Sequence, residues 1–202
     1  MIRKKYAALL ILTPFILAET LLQGAYFLGL RAQVITSCCG SIFSGDAGGV
    51  VSEIISLPQK PLMTLFYGTM AATIFSGMLF YRKGRAGAIF AMLSVVVFLI
   101  SATSLISFIS PYIYELPTHR CPFCVLQKEY SCTGYLHYIF LMGGVVSGAG
   151  TGLLIPFRKV GSLQDILPAV QRKLALVSLV LYLLFTALVT FQIVLSGLRM
   201  EG

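Results

Sequence analysis

The sequence predicts an all-α fold, a polytopic bundle of five transmembrane helices, and three observations carry that prediction. Hydrophobic residues fill 57% of 202 positions and charged residues only 11%, with a mean hydropathy of +0.90, a balance too apolar for a water-soluble globule of this size. The apolar residues gather in runs of about 20 residues or more, the length that crosses a hydrocarbon core of roughly 30 Å. Short polar stretches rich in Lys, Arg, Gly and Pro separate the runs. The spans fall at about 6–30, 62–81, 87–110, 135–156 and 174–197, and residues 1–202 are expected to form a single integral membrane domain.

Helix one follows Arg3, Lys4 and Lys5 in the manner of a signal peptide, but it is too long, carries Pro14 and Glu19, and lacks a small-x-small cleavage site. It is expected to stay as a span. Glu19 and Gln23 lie four apart and therefore on one face. An ionisable residue in a membrane helix usually faces the bundle interior, so Glu19 is read either as a neutral carboxyl bonded to a neighbouring helix or as part of a proton route.

The loop from Arg31 to Pro61 contains adjacent Cys38 and Cys39, and glycines at 40, 45, 48 and 49 that favour tight turns. A disulfide between neighbouring residues is strained, so at least one of the two is expected to pair or exchange with a cysteine elsewhere. The stretch at about 50–57 has the amphipathic character of a short interfacial helix. Helices two and three are joined by Arg82-Lys83-Gly84-Arg85, a hairpin that makes them antiparallel neighbours, and Pro111 and Pro117 end the third helical run.

From His119 to Gly134 the chain reads His-Arg-Cys-Pro-Phe-Cys-Val-Leu-Gln-Lys-Glu-Tyr-Ser-Cys-Thr-Gly. Proline after the first cysteine suits the first position of a helix, which puts Cys121 at the cap and Cys124 in the opening turn, close to unsatisfied N–H groups that stabilise a thiolate. Helix four follows with Gly144, Gly148 and Gly152 on one face, a spacing that admits close helix packing. Ser162 and Asp165 mark a short helix start in the next loop. Gln192 is the strongly polar side chain of helix five.

Orientation follows from the charges, because cytoplasmic loops retain Lys and Arg. Arg3, Lys4, Lys5, Arg82, Lys83, Arg85, Arg158, Lys159, Arg172 and Lys173 fall on one side, against Arg31, Lys60, Arg120, Lys128 and Arg199 on the other. The N-terminus is therefore expected inside and the C-terminus outside. The net charge of +8 reports topology and contact with membrane lipid, not nucleic acid. All the cysteines, Cys38, Cys39, Cys121, Cys124 and Cys132, then share the extracytoplasmic side of a bacterial-type inner membrane, where disulfides form and persist.

Three chemistries suit these cysteines. One is thiol–disulfide exchange at Cys121 and Cys124. Another is a soft-metal site for copper, zinc or mercury built from His119, Cys121, Cys124 and one or both of Cys38 and Cys39, although no methionine-rich outer segment accompanies them. The third is a membrane subunit with purely structural disulfides. Gly-rich phosphate loops and Ser/His/Asp sets are missing from the sequence, which argues against kinase, dinucleotide and hydrolase chemistry. His137, in the first turns of helix four, suits either a hydrogen bond to a quinone carbonyl or packing beside Tyr135 and Tyr138.

Cys121-Pro122-Phe123-Cys124-Val125-Leu126-Gln127-Lys128 resembles the motif of DsbB-type disulfide oxidoreductases, in which Cys-x-x-Cys precedes aliphatic residues, Gln and a basic residue. The order of parts, a loop pair after helix one and Cys-x-x-Cys at the outer end of helix four, resembles the vitamin K epoxide reductase family. The resemblance covers about eight residues and the order of elements. It implies electron relay from a periplasmic thioredoxin-like partner to a membrane quinone, with Cys38 and Cys39 as shuttle, Cys121 and Cys124 as quinone-facing pair, and Gln127 and Lys128 beside the quinone. The chain departs from both patterns in its vicinal loop pair, its Lys, the additional Cys132, and the polar residues that run on to Gly134.

Overall fold

The computed structural model describes residues 2–29, 57–84, 86–117, 119–159 and 164–198. Cys38, Cys39, nearly all of the expected interfacial stretch at 50–57, and Ser162 lie outside them. The described residues form helices and turns, in two compact units, Met1–Ser37 and Cys38–Gly202.

The first unit is the helix α1, Ile2–Gly29, which accommodates Pro14 within its length. Its described side chains include a shorter apolar stretch, Leu10–Ala25. Glu19 and Gln23 meet on one face as their spacing requires, the Gln23 amide donating to the Glu19 carboxylate at 3.4 Å.

The second unit holds four helices long and apolar enough to cross a membrane, the make-up of a multi-pass membrane protein: α2, Gln59–Lys83; α3, Gly87–Tyr114; α4, Thr133–Leu153; and α5, Leu167–Leu195. Each packs against the next, and α5 closes the ring against α2. Because the connections join packed neighbours, the helices run alternately up and down. Arg82, Lys83, Arg158, Arg172 and Lys173 therefore share the α2–α3 hairpin end, while Lys60, Arg120 and Lys128 share the opposite end.

The hairpin itself is explained residue by residue. Gly84 takes a left-handed conformation (φ 66°) and caps α2 by donating its N–H to the Phe80 carbonyl at 2.8 Å. Ala86 is also left-handed (φ 67°) and α3 begins at Gly87. Two reciprocal contacts bring α2 and α3 together: the Phe90 ring lies over Gly77, and the Phe80 ring lies over Gly87, where any Cβ would collide.

The glycine face of α4 is used within the bundle. A methyl group at Gly148 would overlap the hydroxyls of Ser94 and Ser178, one at Gly152 would overlap the Ala91 side chain, and one at Gly144 would press on the Tyr182 ring. The close approach lets Ser178 on α5 donate to the Gly144 carbonyl at 2.7 Å. In a lipid solvent, contacts of this kind replace the hydrophobic driving force that water supplies. Large aromatic side chains fill the centre, with Phe66 edge-on to both Phe108 (5.9 Å) and Phe185 (6.0 Å).

Near its C-terminal end α3 loosens into a π turn, Leu105–Ile109, before Ser110–Tyr114 resumes the α-helix. Pro111 is the physical reason: it has no N–H to donate and its ring crowds the carbonyl four residues back, and the wider turn relieves that clash. Helix α5 starts seven residues earlier than the apolar run suggests, since its first turns hold the charged pair Arg172 and Lys173 around the buried Gln171.

Candidate functional site

The cysteine motif lies across the end of α3 and the start of α4, at the end of the bundle opposite the α2–α3 hairpin. Cys121 and Cys124 are 1% and 8% exposed and belong to one buried cluster with Tyr114 and Val125, against which Ile113 and Tyr130 pack. Phe123, between the two cysteines, points outward and is 62% exposed. No disulfide joins any two of the described cysteines.

Two tyrosine hydroxyls hold the backbone of the motif. Tyr114, the last residue of α3, donates to the Cys121 carbonyl, and Tyr138 on α4 donates to the Pro122 carbonyl at 2.8 Å. The Tyr114 ring is packed edge-on against His119 (4.5 Å) and against Tyr130 (4.4 Å), so that aromatic rings surround the cysteine cluster. Gly134 completes the support: a Cβ there would stand 2.9 Å from the Val125 carbonyl carbon, so only glycine lets α4 start this close to the motif.

The local conformation corrects the helix expected over Cys121 and Cys124. Phe123 takes the cap position, and Cys124–Leu126 form one 3-10 turn. Gln127 is then extended (φ −76°, ψ 156°), Lys128–Tyr130 form a second 3-10 turn, and Ser131 and Cys132 are both left-handed before α4 begins at Thr133. A three-residue turn has no summed dipole, so a helix N-terminus does not act on either sulfur here. The Gln127 carbonyl accepts from the N–H groups of Tyr130 and Cys132, both at 3.2 Å, which folds the chain back on itself after the motif.

The other predicted residues divide between surface and core. Gln127 and Lys128 are exposed on the turns directly after Cys124. His137 is 0% exposed in the bundle core; its Nδ1 lies 3.0 Å from the Thr133 carbonyl, and its ring stands edge-on to Phe185 at 5.9 Å. Since a carbonyl oxygen only accepts, Nδ1 carries the hydrogen and the neutral ring offers Nε2 as an acceptor. That state suits packing better than donation to a quinone carbonyl. Cys132 is half-buried at the cap of α4.

Among the described residues no group of three His, Cys, Asp or Glu side chains is placed to hold a metal ion. His119 faces the Tyr114 ring, and its Nε2 is buried without a hydrogen-bond partner among the described residues. The soft-metal arrangement therefore depends on Cys38 and Cys39, which lie outside the description.

A cleft of about 320 Å³ opens beside the cysteine cluster, with Tyr130 and Ile113 as shared wall, Thr133 and Gln192 among its polar residues, and Glu115 and Glu129 among its lining. Glu115 also accepts the N–H of Gly197 at 3.2 Å and so ties the end of α3 to the end of α5. Sequence reasoning missed Tyr114 and Glu115, and named Tyr138 and Gly134 without their part in holding the motif. Their only signal was an aromatic, a carboxylate or a glycine at the end of an apolar run.

No protein-family model, curated protein or solved structure matches the chain.

Proposed function

We propose that the chain is a thiol–disulfide oxidoreductase of a bacterial-type inner membrane, relaying electrons between an extracytoplasmic thioredoxin-like partner and a membrane quinone. In this reading α1 is a fifth span, the N-terminus is inside and the C-terminus outside. The motif end of the bundle then faces the oxidising compartment. Cys121 and Cys124 are the redox pair, Cys38 and Cys39 exchange with them, and Gln127 and Lys128 lie on the quinone side. His137 is assigned to the core.

The observation that supports it best is the burial of both motif cysteines in one aromatic cluster at the end of the helix bundle. Each turnover converts two thiols to one disulfide and releases two electrons and two protons, the number that reduces one quinone to its quinol. A pair shielded from water suits an acceptor dissolved in lipid.

Replacement of Cys121 or Cys124 by Ala should trap a disulfide between the remaining cysteine and Cys38 or Cys39. The purified protein should reoxidise a thioredoxin-like partner only when quinone is supplied. Cysteines found reduced, with stoichiometric metal released by acid, would overturn the relay and favour the soft-metal alternative.

A further inference from the structure

At the hairpin end of the bundle, far in sequence from the cysteines, a buried amide organises an arginine. Gln171 on α5 is 0% exposed. Its Nε2 donates to the Thr151 carbonyl at 2.8 Å, satisfying one of the carbonyls that the end of α4 leaves without a helical partner, and its Oε1 accepts from Arg158 Nε at 2.6 Å. The guanidinium carbon of Arg158 also stands 6.0 Å from the centre of the Phe80 ring. With Nε committed to Gln171, the outer NH₂ groups of a half-buried, oriented guanidinium remain for something else. Arg172 follows Gln171 directly, and both arginines line one cleft of about 250 Å³, completed by Phe80, Gly84, Gln164 and Pro168.

We propose that this cleft binds a phosphate group. Among the described residues its lining holds two guanidinium groups and no acidic side chain, so like charges face one cleft and an anion between them reverses the sign. Guanidinium forks match the paired oxygens of a phosphate, and orienting one through a buried amide lowers the entropy cost of using it. The cleft lies where helices of membrane-spanning length end, the depth at which basic pockets meet anionic headgroups. The phosphate of an anionic phospholipid and free inorganic phosphate share this chemistry. The site stands apart from the cysteine motif and does not depend on the relay.

The test uses the full chain in nanodiscs of phosphatidylcholine with a minor share of phosphatidylglycerol, with retained lipid counted by native mass spectrometry, and a parallel thermal-shift titration with inorganic phosphate in detergent. Phosphatidylglycerol should be retained selectively, and Arg158→Gln and Arg172→Gln should each lower retention about tenfold. Lys83→Gln and Lys173→Gln, exposed at the same end but outside the lining, should leave it unchanged. Stabilisation by inorganic phosphate, lost in the same arginine variants and without lipid selectivity, would support the cleft with free phosphate as its ligand. Because Arg158 is part of the packing, Arg172→Gln, at an exposed position, keeps the test open if Arg158→Gln fails to fold. Equal retention of both lipids with no response to phosphate, or lysine variants as damaging as the arginine ones, overturns the proposal.

Discussion

The hydroxyl of Tyr114, the last residue of α3, donates to the main-chain carbonyl of Cys121 and so fixes the first cysteine of the motif to the end of a membrane helix. The carbonyl is buried with Cys121, and a buried acceptor that loses its donor costs about 1–3 kcal/mol. Tyr114→Phe keeps the ring stack with His119 and Tyr130 while removing that donor. Its thermal unfolding in detergent should fall by a corresponding amount. A loss of ~1.4 kcal/mol in local stability raises the opened population about tenfold, so amide hydrogen exchange across the motif should accelerate. Tyr135→Phe, at an exposed position, serves as the control and should change neither measurement.

Packing along α4 gives a second, sharper contrast. A methyl at Gly148 meets the hydroxyls of Ser94 and Ser178, whereas one at Gly150 has only the Leu174 side chain at an ordinary 3.6 Å. Gly148→Ala should therefore destabilise the bundle by about 1–3 kcal/mol, the usual cost of overfilling a packed contact, and Gly150→Ala should be nearly silent. Equal effects in a chemical-denaturation series would mean that α4 does not meet α3 and α5 along this face.

Much of this architecture was legible in the sequence, for a definite reason. Hydropathy sees the apolar middle of a membrane helix, so three of the last four helices were located to within four residues at either end. It fails where a helix leaves the hydrocarbon: α5 begins at Leu167 and not near 174 because Gln171, Arg172 and Lys173 extend the helix into polar surroundings. The glycine spacing at 144, 148 and 152 carried enough geometry to name a packing face. The motif was harder to read. Pro122 signalled a helix start, but Gln127 is extended and Ser131 and Cys132 are left-handed without being glycine, so no local residue announced the break. The tyrosines that hold the motif come from the ends of other helices, a long-range arrangement that residue spacing within the motif does not encode.

Topology offers a third test, joining the charge pattern to the fold. Gly84 and Asp165 lie at the end of the bundle that carries Arg82, Lys83, Arg158, Arg172 and Lys173. Reporter fusions after Gly84 and Asp165 should score as cytoplasmic, and fusions after Asp46 and Thr118 as extracytoplasmic. The reverse result would place the cysteines in a reducing compartment and remove the basis of the relay.

The last prediction concerns a pair inside the bundle. His137 Nδ1 faces the Thr133 carbonyl at 3.0 Å and must donate, which leaves Nε2 of the neutral ring needing a donor. Gln192 on α5 lies within hydrogen-bonding reach of His137. With the amide oxygen turned inward, Gln192 Oε1 and His137 Nε2 are both buried acceptors without a partner among the described residues. Amide oxygen and nitrogen are distinguished only by such networks. The opposite amide orientation, with the NH₂ donating to Nε2, satisfies the ring and links α4 to α5 close to the cysteine motif. Removing either side alone leaves a buried polar atom stranded, at a cost of about 1–3 kcal/mol. His137→Phe and Gln192→Leu should thus each destabilise the protein, and the double variant should cost less than their sum by roughly 0.5–3 kcal/mol. Chemical unfolding of the four proteins in one detergent measures that coupling directly. Strict additivity would mean that the two side chains do not meet, and that His137 is held by Thr133 and Phe185 alone.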